Sequence, residues 1–283
     1  MISALSIWIV ITIITVAFLC EYMDSTLGMG YGTTLTPVLL LLGFGPMQII
    51  PAVLLSELIT GLLAGFFHHR EGNVNFRPET TDFSLIARKL KVLGYSESFR
   101  RGFPLHLRVA LLLTVCSILG TAVAVFVAFN IPKLWLKLYI GCLVLSMGVL
   151  MIICLNREFS FSCKKITSLG FIASFNKGMS GGGYGPVVTG GQILSGVEGR
   201  SAVGITSLAE GLTCMVGVIA YVVLSKDAID WNLAPLIIAG AVFSVPLSAV
   251  SVKKIRPRDL KLAIAMITII LGTLTVIKTV ISG

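Results

Sequence analysis

Seven apolar stretches, at about residues 3–23, 47–68, 107–130, 132–154, 201–224, 232–252 and 258–281, constrain this chain more than anything else in it. Each is long enough to cross hydrocarbon, because roughly 20 helical residues span about 30 Å. Only 12% of the residues are charged and 55% are hydrophobic, with a mean hydropathy of +0.96. A soluble domain so composed would have too little polar surface, so the chain reads as an all-α polytopic membrane protein. Shorter or interrupted apolar runs at about 30–44, 166–179 and 184–196 bring the total to about ten membrane segments. The first run lacks Lys or Arg in its Met-Ile-Ser-Ala lead and has no small-residue cleavage site before Glu21, so a retained helix is expected rather than a signal peptide.

The second constraint is a duplication. Residues 28–60 recur without a gap 153 positions later, at 181–213, with ten of 33 positions identical. The matched residues include the glycine motif Gly28-Met29-Gly30-Tyr31-Gly32 against Gly181-Gly182-Gly183-Tyr184-Gly185, and also Glu57 against Glu210 and Thr60 against Thr213. Internal repeats of this kind are a hallmark of secondary transporters.

Loop charge orients the copies. The segment from about 69 to 106 carries Arg70, Arg77, Arg88, Lys89, Lys91, Arg100 and Arg101 against four acids, and Arg157, Lys164, Lys165, Lys253, Lys254, Arg256 and Arg258 mark two further basic loops. The positive-inside rule makes all three cytoplasmic and places the Ser225–Trp231 connection outside. The same rule accounts for the formal net charge of +9 without a nucleic-acid partner. The segment with Glu57 then ends inside at His68, and its duplicate with Glu210 ends outside near Lys226. Two inverted five-segment repeats satisfy this, at 1–154, with a cytoplasmic insertion at about 69–106, and at 166–283. Both termini are expected outside a multi-pass protein of the cell inner (plasma) membrane.

Within each repeat the glycines interrupt a span. Gly178 to Gly191 contains seven glycines and Pro186, which a continuous helix tolerates poorly at about 1 kcal/mol per Gly and about 3 per interior Pro. Non-helical backbone at membrane depth survives only where it is buried in protein or lines a polar cavity. The chemistry therefore points to broken or re-entrant helices at the midplane, with helix N-termini presented to an anion. The first copy, with Pro37, is expected to do the same from the opposite side. Close packing of small residues is the competing explanation.

Candidate anion ligands are Gly30, Tyr31, Gly32, Thr33, Gly181, Gly182, Gly183, Tyr184 and Gly185, together with Lys177, which stands before the second glycine run where the first has Asp24. Lys177 is the leading charged ligand; the alternative is a lysine that snorkels to an interface or pairs with a buried acid such as Asp24 or a Glu. Glu57, Glu210 and Asp24 are candidates for coupling or gating by H+ or Na+, or for a structural clamp on the backbone amides. Hydroxyls and amides at Thr33, Thr34, Thr36, Ser56, Thr60, Ser180, Thr189, Gln192, Thr206, Ser207 and Thr213 fill the rest of the inferred cavity. The six cysteines have no metal-ligand spacing, and His68, His69 and His106 lie at cytoplasmic edges, so no metal and no cofactor are expected.

The paired glycine motifs, with Pro37 and Gly204-Ile205-Thr206-Ser207-Leu208, resemble the TauE/SafE family of sulfite and organosulfonate exporters across nearly the whole chain outside the insertion. The resemblance implies transport of small anions such as sulfite, sulfoacetate or related C2 compounds, usually outward, through the lipid bilayer. The first motif departs from the family's commoner Gly-Gly-Gly through Met29 and Tyr31. The residues leave open a passive anion channel or uniporter, or an importer of small carboxylate or sulfur anions. Gly178-Met179-Ser180-Gly181 also resembles the serine motif of intramembrane proteases, but a serine nucleophile needs a base and no histidine follows His106. No catalytic residue and no enzyme activity are therefore expected; the oligomeric state is not legible.

Overall fold

A computed structural model describes residues 6–78, 103–153, 163–194, 197–252 and 257–282. These form ten helices: α1 (Ile7–Leu27), α2 (Tyr31–Leu41), α3 (Pro46–Arg70), α4 (Leu105–Asn130), α5 (Lys133–Ile153), α6 (Cys163–Ser180), α7 (Tyr184–Leu194), α8 (Gly199–Leu224), α9 (Ala234–Ser251) and α10 (Pro257–Ser282). Seven are long and apolar enough to cross a membrane, and they lie on the seven stretches expected from the sequence. α6 has the length at 18 residues, but Lys164, Lys165 and Lys177 lower its apolarity. Most of the basic insertion, including Arg88, Lys89, Lys91, Arg100 and Arg101, lies outside the described residues, as do Arg157, Lys253, Lys254 and Arg256.

One boundary differs from expectation. α1 continues to Leu27, past the polar residues that suggested an end near position 23. Glu21 and Asp24 do not stop the helix because both are buried against protein rather than lipid, and an ionisable group in a span is tolerated when it faces the interior.

The duplication reappears as geometry. α2 and α7 start at Tyr31 and Tyr184, α3 and α8 at Pro46 and Gly199, so the start of each second copy follows the first by the same 153 residues. Principal neighbours exchange in the same way. α1 packs on α9 and α6 on α4; α3 packs on α9 and α8 on α4; α3 also packs on α8 and α5 on α10. Swapping the first five helices for the last five leaves these pairings unchanged, as a two-fold relation requires.

α3 and α8 form the centre of the bundle and run antiparallel. Along their seam Gly65 meets Leu208, Gly61 meets Gly211 and Leu54 meets Gly217, so sequence numbers rise on one helix as they fall on the other. A Cβ on Gly61 would lie 2.8 Å from the Gly211 Cα; only small residues permit helices in lipid to approach so closely. Gln48, near the start of α3, donates to Asp230 at 2.9 Å in the connection after α8. The outer faces of α1, α4, α9 and α10 expose Trp8, Leu119, Phe126, Phe243 and Ile281, a surface that suits lipid rather than water.

Candidate functional site

The two helix breaks are built alike. α1 ends at Gly28, whose φ of 70° puts it in the left-handed region and whose N–H donates to the Asp24 carbonyl at 2.5 Å. α6 ends at Gly181, with φ of 72° and an N–H donated to the Lys177 carbonyl at 2.8 Å. A left-handed glycine is the usual way to close a helix, because it carries no Cβ to clash. Two residues on, Gly30 and Gly183 also have positive φ and lead into α2 and α7.

The breaks then meet each other. A Cβ on Gly32 would collide with the Gly181 carbonyl and lie 2.7 Å from the Gly182 Cα; one on Gly185 would collide with the Gly28 carbonyl and lie 2.7 Å from the Met29 Cα. Gly32 and Thr33 thus meet Gly181 and Gly182, and Gly28 and Met29 meet Gly185, whereas Gly30 lies beside Met23 and Ile264 and Gly183 beside Asn176 and Leu143. Thr189 Oγ1 lies 2.7 Å from the Gly28 carbonyl oxygen and 2.8 Å from Thr206 Oγ1, tying the second half to the first break. Its repeat counterpart Thr36 lies beside Gly181, with a hydroxyl that has no hydrogen-bond partner.

Tyr31 and Tyr184 open α2 and α7 and are fully buried. The Tyr31 hydroxyl pairs with Ser56 Oγ at 2.7 Å, and Thr213 Oγ1 reaches the Tyr184 hydroxyl at 3.5 Å. Pro186 is the third residue of α7, where its missing N–H costs the helix nothing. Pro37 does not match this role: it lies inside α2, leaving the Thr33 carbonyl without an intrahelical N–H. The first copy is expected to match the second with Pro37 in the place of Pro186; a helix does start there, at Tyr31, but the proline stands inside it.

Lys177 is completely enclosed. Its ammonium forms ion pairs with Glu57 Oε2 and, at 2.7 Å, with Glu210 Oε1. Of the two roles open to Lys177 in the sequence, the geometry displays pairing with buried acids. Glu57 and Glu210 are each the twelfth residue of helices 25 and 26 residues long, so both stand at mid-helix. Cys214, one turn past Glu210, approaches Glu57 Oε2 at 3.8 Å. Asp24 holds the other break: its Oδ1 accepts the Tyr31 N–H at 3.2 Å, so a carboxylate caps the N-terminus of α2 where favourable charge is wanted.

Glu21 is the site residue that sequence reasoning passed over. Its two carboxylate oxygens accept from Ser25 at 2.6 Å and Thr60 at 3.0 Å, and it joins Asp24, Glu57 and Glu210 around one small cavity. An acid three residues before Asp24, and hence on the same helix face, was the available signal. Of the histidines, His68 is buried, with Nε2 at 2.8 Å from the Ser25 carbonyl oxygen and Nδ1 at 3.0 Å from Asn73. It fastens the end of α3 to α1. Among the described residues no group of three or more His, Cys, Asp or Glu is arranged to hold a metal ion.

Comparison with known proteins fits this architecture. The model of the family described as Sulfite exporter TauE/SafE matches residues 13–80 and 90–275, spanning both glycine breaks. The Probable membrane transporter protein YtnM of Bacillus subtilis (strain 168) is 25% identical over 267 residues, covering 93% of this chain and 81% of that protein. No solved structure matches. A family match through both halves, on a bundle with seven candidate spans, establishes that this multi-pass membrane chain belongs to the TauE/SafE family of membrane transporters.

Proposed function

We propose that the chain is a secondary transporter that exports small anions, sulfite or organosulfonates such as sulfoacetate foremost, by alternating access of two inverted five-helix repeats. The observation that carries this reading is the mutual contact of the two glycine breaks, Gly32 on Gly181 and Gly182 and Gly185 on Gly28 and Met29. Two interrupted helices that meet beside mid-helix charges offer backbone amides to an anion at a point neither half owns alone. Inversion is supported by the antiparallel passage of the duplicated helices α3 and α8, and by the exchange of neighbours between halves. Halves so related can exchange conformations and open the same site to either face. A sulfur-anion cargo and an outward direction are supported by family membership.

In this mechanism the anion binds the amides of the Gly28–Thr33 and Gly181–Gly185 turns and draws the Lys177 ammonium away from Glu57 and Glu210. Lys177 is one turn before Gly181, whose N–H bonds its carbonyl, so its side chain starts close to the break. Glu57 and Glu210, relieved of their partner, then couple the step to H+ or Na+.

A thermal-shift and liposome-flux screen against sulfite, sulfoacetate, thiosulfate, taurine, acetate and lactate tests the reading. One or more sulfur anions should stabilise the parent and be carried across the bilayer. Lys177→Ala and Gly183→Ala, checked for folding, should lose that binding, the latter because its φ of 81° admits only glycine comfortably. Undiminished binding by both variants would place the anion elsewhere. Flux that ignores every gradient except the anion's own would replace the coupled carrier with a uniporter or channel.

A further inference from the structure

Beside the Lys177 ion pairs lies a cavity whose polar wall is Glu21, Asp24, Glu57, Thr60, Ser207 and Glu210. Its volume of about 10 Å³ accommodates roughly one water molecule. Lys177 is not part of this wall; it holds one oxygen of Glu57 and one of Glu210. The other oxygens, Glu57 Oε1 and Glu210 Oε2, have no hydrogen-bond partner, although the two residues are only 3% and 4% exposed. A buried acceptor left unsatisfied is costly, and it calls for a donor.

The charge count identifies that donor. The ionisable groups in and around this acid cluster are Cys20, Glu21 and Asp24 on α1, Tyr31 on α2, Glu57 on α3, Lys177 on α6, Tyr184 on α7, and Glu210 and Cys214 on α8. Four carboxylates thus face one ammonium, an excess of three negative charges if all are ionised. A single monovalent cation the size of a water would fill the cavity and still leave two of them, and a divalent one would leave one. Protons need no volume, and they turn an unpartnered carboxylate oxygen into a hydrogen-bond donor. Like charges crowded around one small cavity favour the same outcome.

We propose that this cavity is a proton-binding site in which Glu21 and Asp24 of α1 share protons with Glu57 and Glu210, bridged by one water. Its place in the cycle rests on the anion-carrier reading above. When an anion captures Lys177 the excess rises from three to four, so one proton enters from solution and is added to a carboxylate oxygen. The anion and the proton then move together, and each strengthens the binding of the other by the same factor.

Infrared spectroscopy of the purified full-length protein in nanodiscs, without any anion, tests the site through the C=O stretch of protonated carboxyl groups. At neutral pH the parent should show a band from buried carboxylic acids that shifts in D₂O. Glu21→Gln and Asp24→Asn each cut the excess from three to two, so about a third of the band should disappear. Lys177→Met raises the excess to four, and the band should grow by about the same fraction. Thr60→Val keeps every charge but removes the hydroxyl on Glu21, so it should move the band without changing its area; this variant serves if a charge variant does not fold. No buried-acid band in the parent, or no change of area in Glu21→Gln and Asp24→Asn, would overturn the proposal. A band abolished at fixed pH by sodium but not by potassium would overturn it too, by marking a metal-cation site. Because no anion is used, the outcome is independent of the flux screen.

Discussion

Replacing Gly32 with alanine probes the contact on which the site depends. The added Cβ would lie 2.6 Å from the Gly181 carbonyl carbon and 2.7 Å from the Gly182 Cα, and closer still to the Gly181 carbonyl oxygen. Carbon atoms in ordinary contact sit at about 3.5–4.0 Å, so the carbon contacts alone require the two breaks to part by about 1 Å, and the nearer carbonyl oxygen requires more. The opposing atoms are backbone and cannot rotate aside. Overpacking of this kind costs about 1–3 kcal/mol, and it is offset in part by up to about 1 kcal/mol of improved helix propensity within α2. The net loss is about 1–2 kcal/mol, which for a protein of this size lowers the melting temperature by about 2–8 °C. Gly185→Ala should behave alike, since its Cβ meets Met29 and the Gly28 carbonyl. Gly190→Ala is the control: it lies in α7 with no heavy atom within 4 Å of the added Cβ, so it should melt at or above the parent. The assay is thermal unfolding in detergent followed by anion binding. If Gly32→Ala and Gly185→Ala melt and bind like the parent, the breaks do not pack back to back and the proposed site fails with them.

Two further outcomes follow from the buried charges and the helix directions. Lys177→Met leaves Glu57 and Glu210 without their cation, at a cost approaching about 3–5 kcal/mol. A proton can replace the ammonium, so the folded variant binds one more proton than the parent, and its deficit should grow as pH rises and shrink as pH falls; adding Glu57→Gln and Glu210→Gln should restore most of the stability. A pH-independent deficit in thermal unfolding would contradict the charge assignment. For topology, single cysteines at Asp227 and at Gly72 in a cysteine-free background should react with a membrane-impermeant maleimide from opposite sides, Asp227 in intact cells and Gly72 only after permeabilisation. Labelling of both from one side would eliminate the inverted arrangement.

Much of the fold was legible because lipid reduces the choices. A helix must be long and apolar to cross, so the seven spans are written directly in hydropathy, and the repeated Gly-x-Gly-Tyr-Gly string marked where α1 and α6 had to end. What hydropathy could not resolve was the direction in which a side chain points. Glu21 and Asp24 look like the edge of a span because a scale counts them as polar, whereas their burial against Ser25, Thr60 and the Tyr31 amide lets α1 run through them. Pro37 and Pro186 look alike in sequence, yet the register of the helix start decides that one is interior and the other is in a first turn. Lys177 was recognisable as a buried cation, but its partners are 120 residues upstream and 33 downstream, at Glu57 and Glu210, and only tertiary packing selects them.

On the inverted-repeat reading, one departure from two-fold order carries the most consequence. In a symmetric frame the two breaks would bind an anion equally, and each N-terminus would attract it. Asp24 and Lys177 occupy equivalent places, each giving its carbonyl to the glycine that closes its helix, but their side chains are opposite in sign. Asp24 supplies a carboxylate to the N-terminus of α2, so that end is already satisfied by the protein. Lysine has no acceptor and cannot cap α7; it is drawn instead to the acids at mid-helix. On the proposed reading the anion, though held between both turns, therefore sits nearer the α7 end, where the helix terminus has no acid of its own and a cation one turn away can be recruited. The excess of carboxylates over cations comes from outside this pair. With Lys177 on one side and Asp24 on the other, the pair contributes no net charge, and Glu21, Glu57 and Glu210 remain to be neutralised. Anion affinity and proton occupancy then depend on one residue, so no substitution of Lys177 should change one without the other.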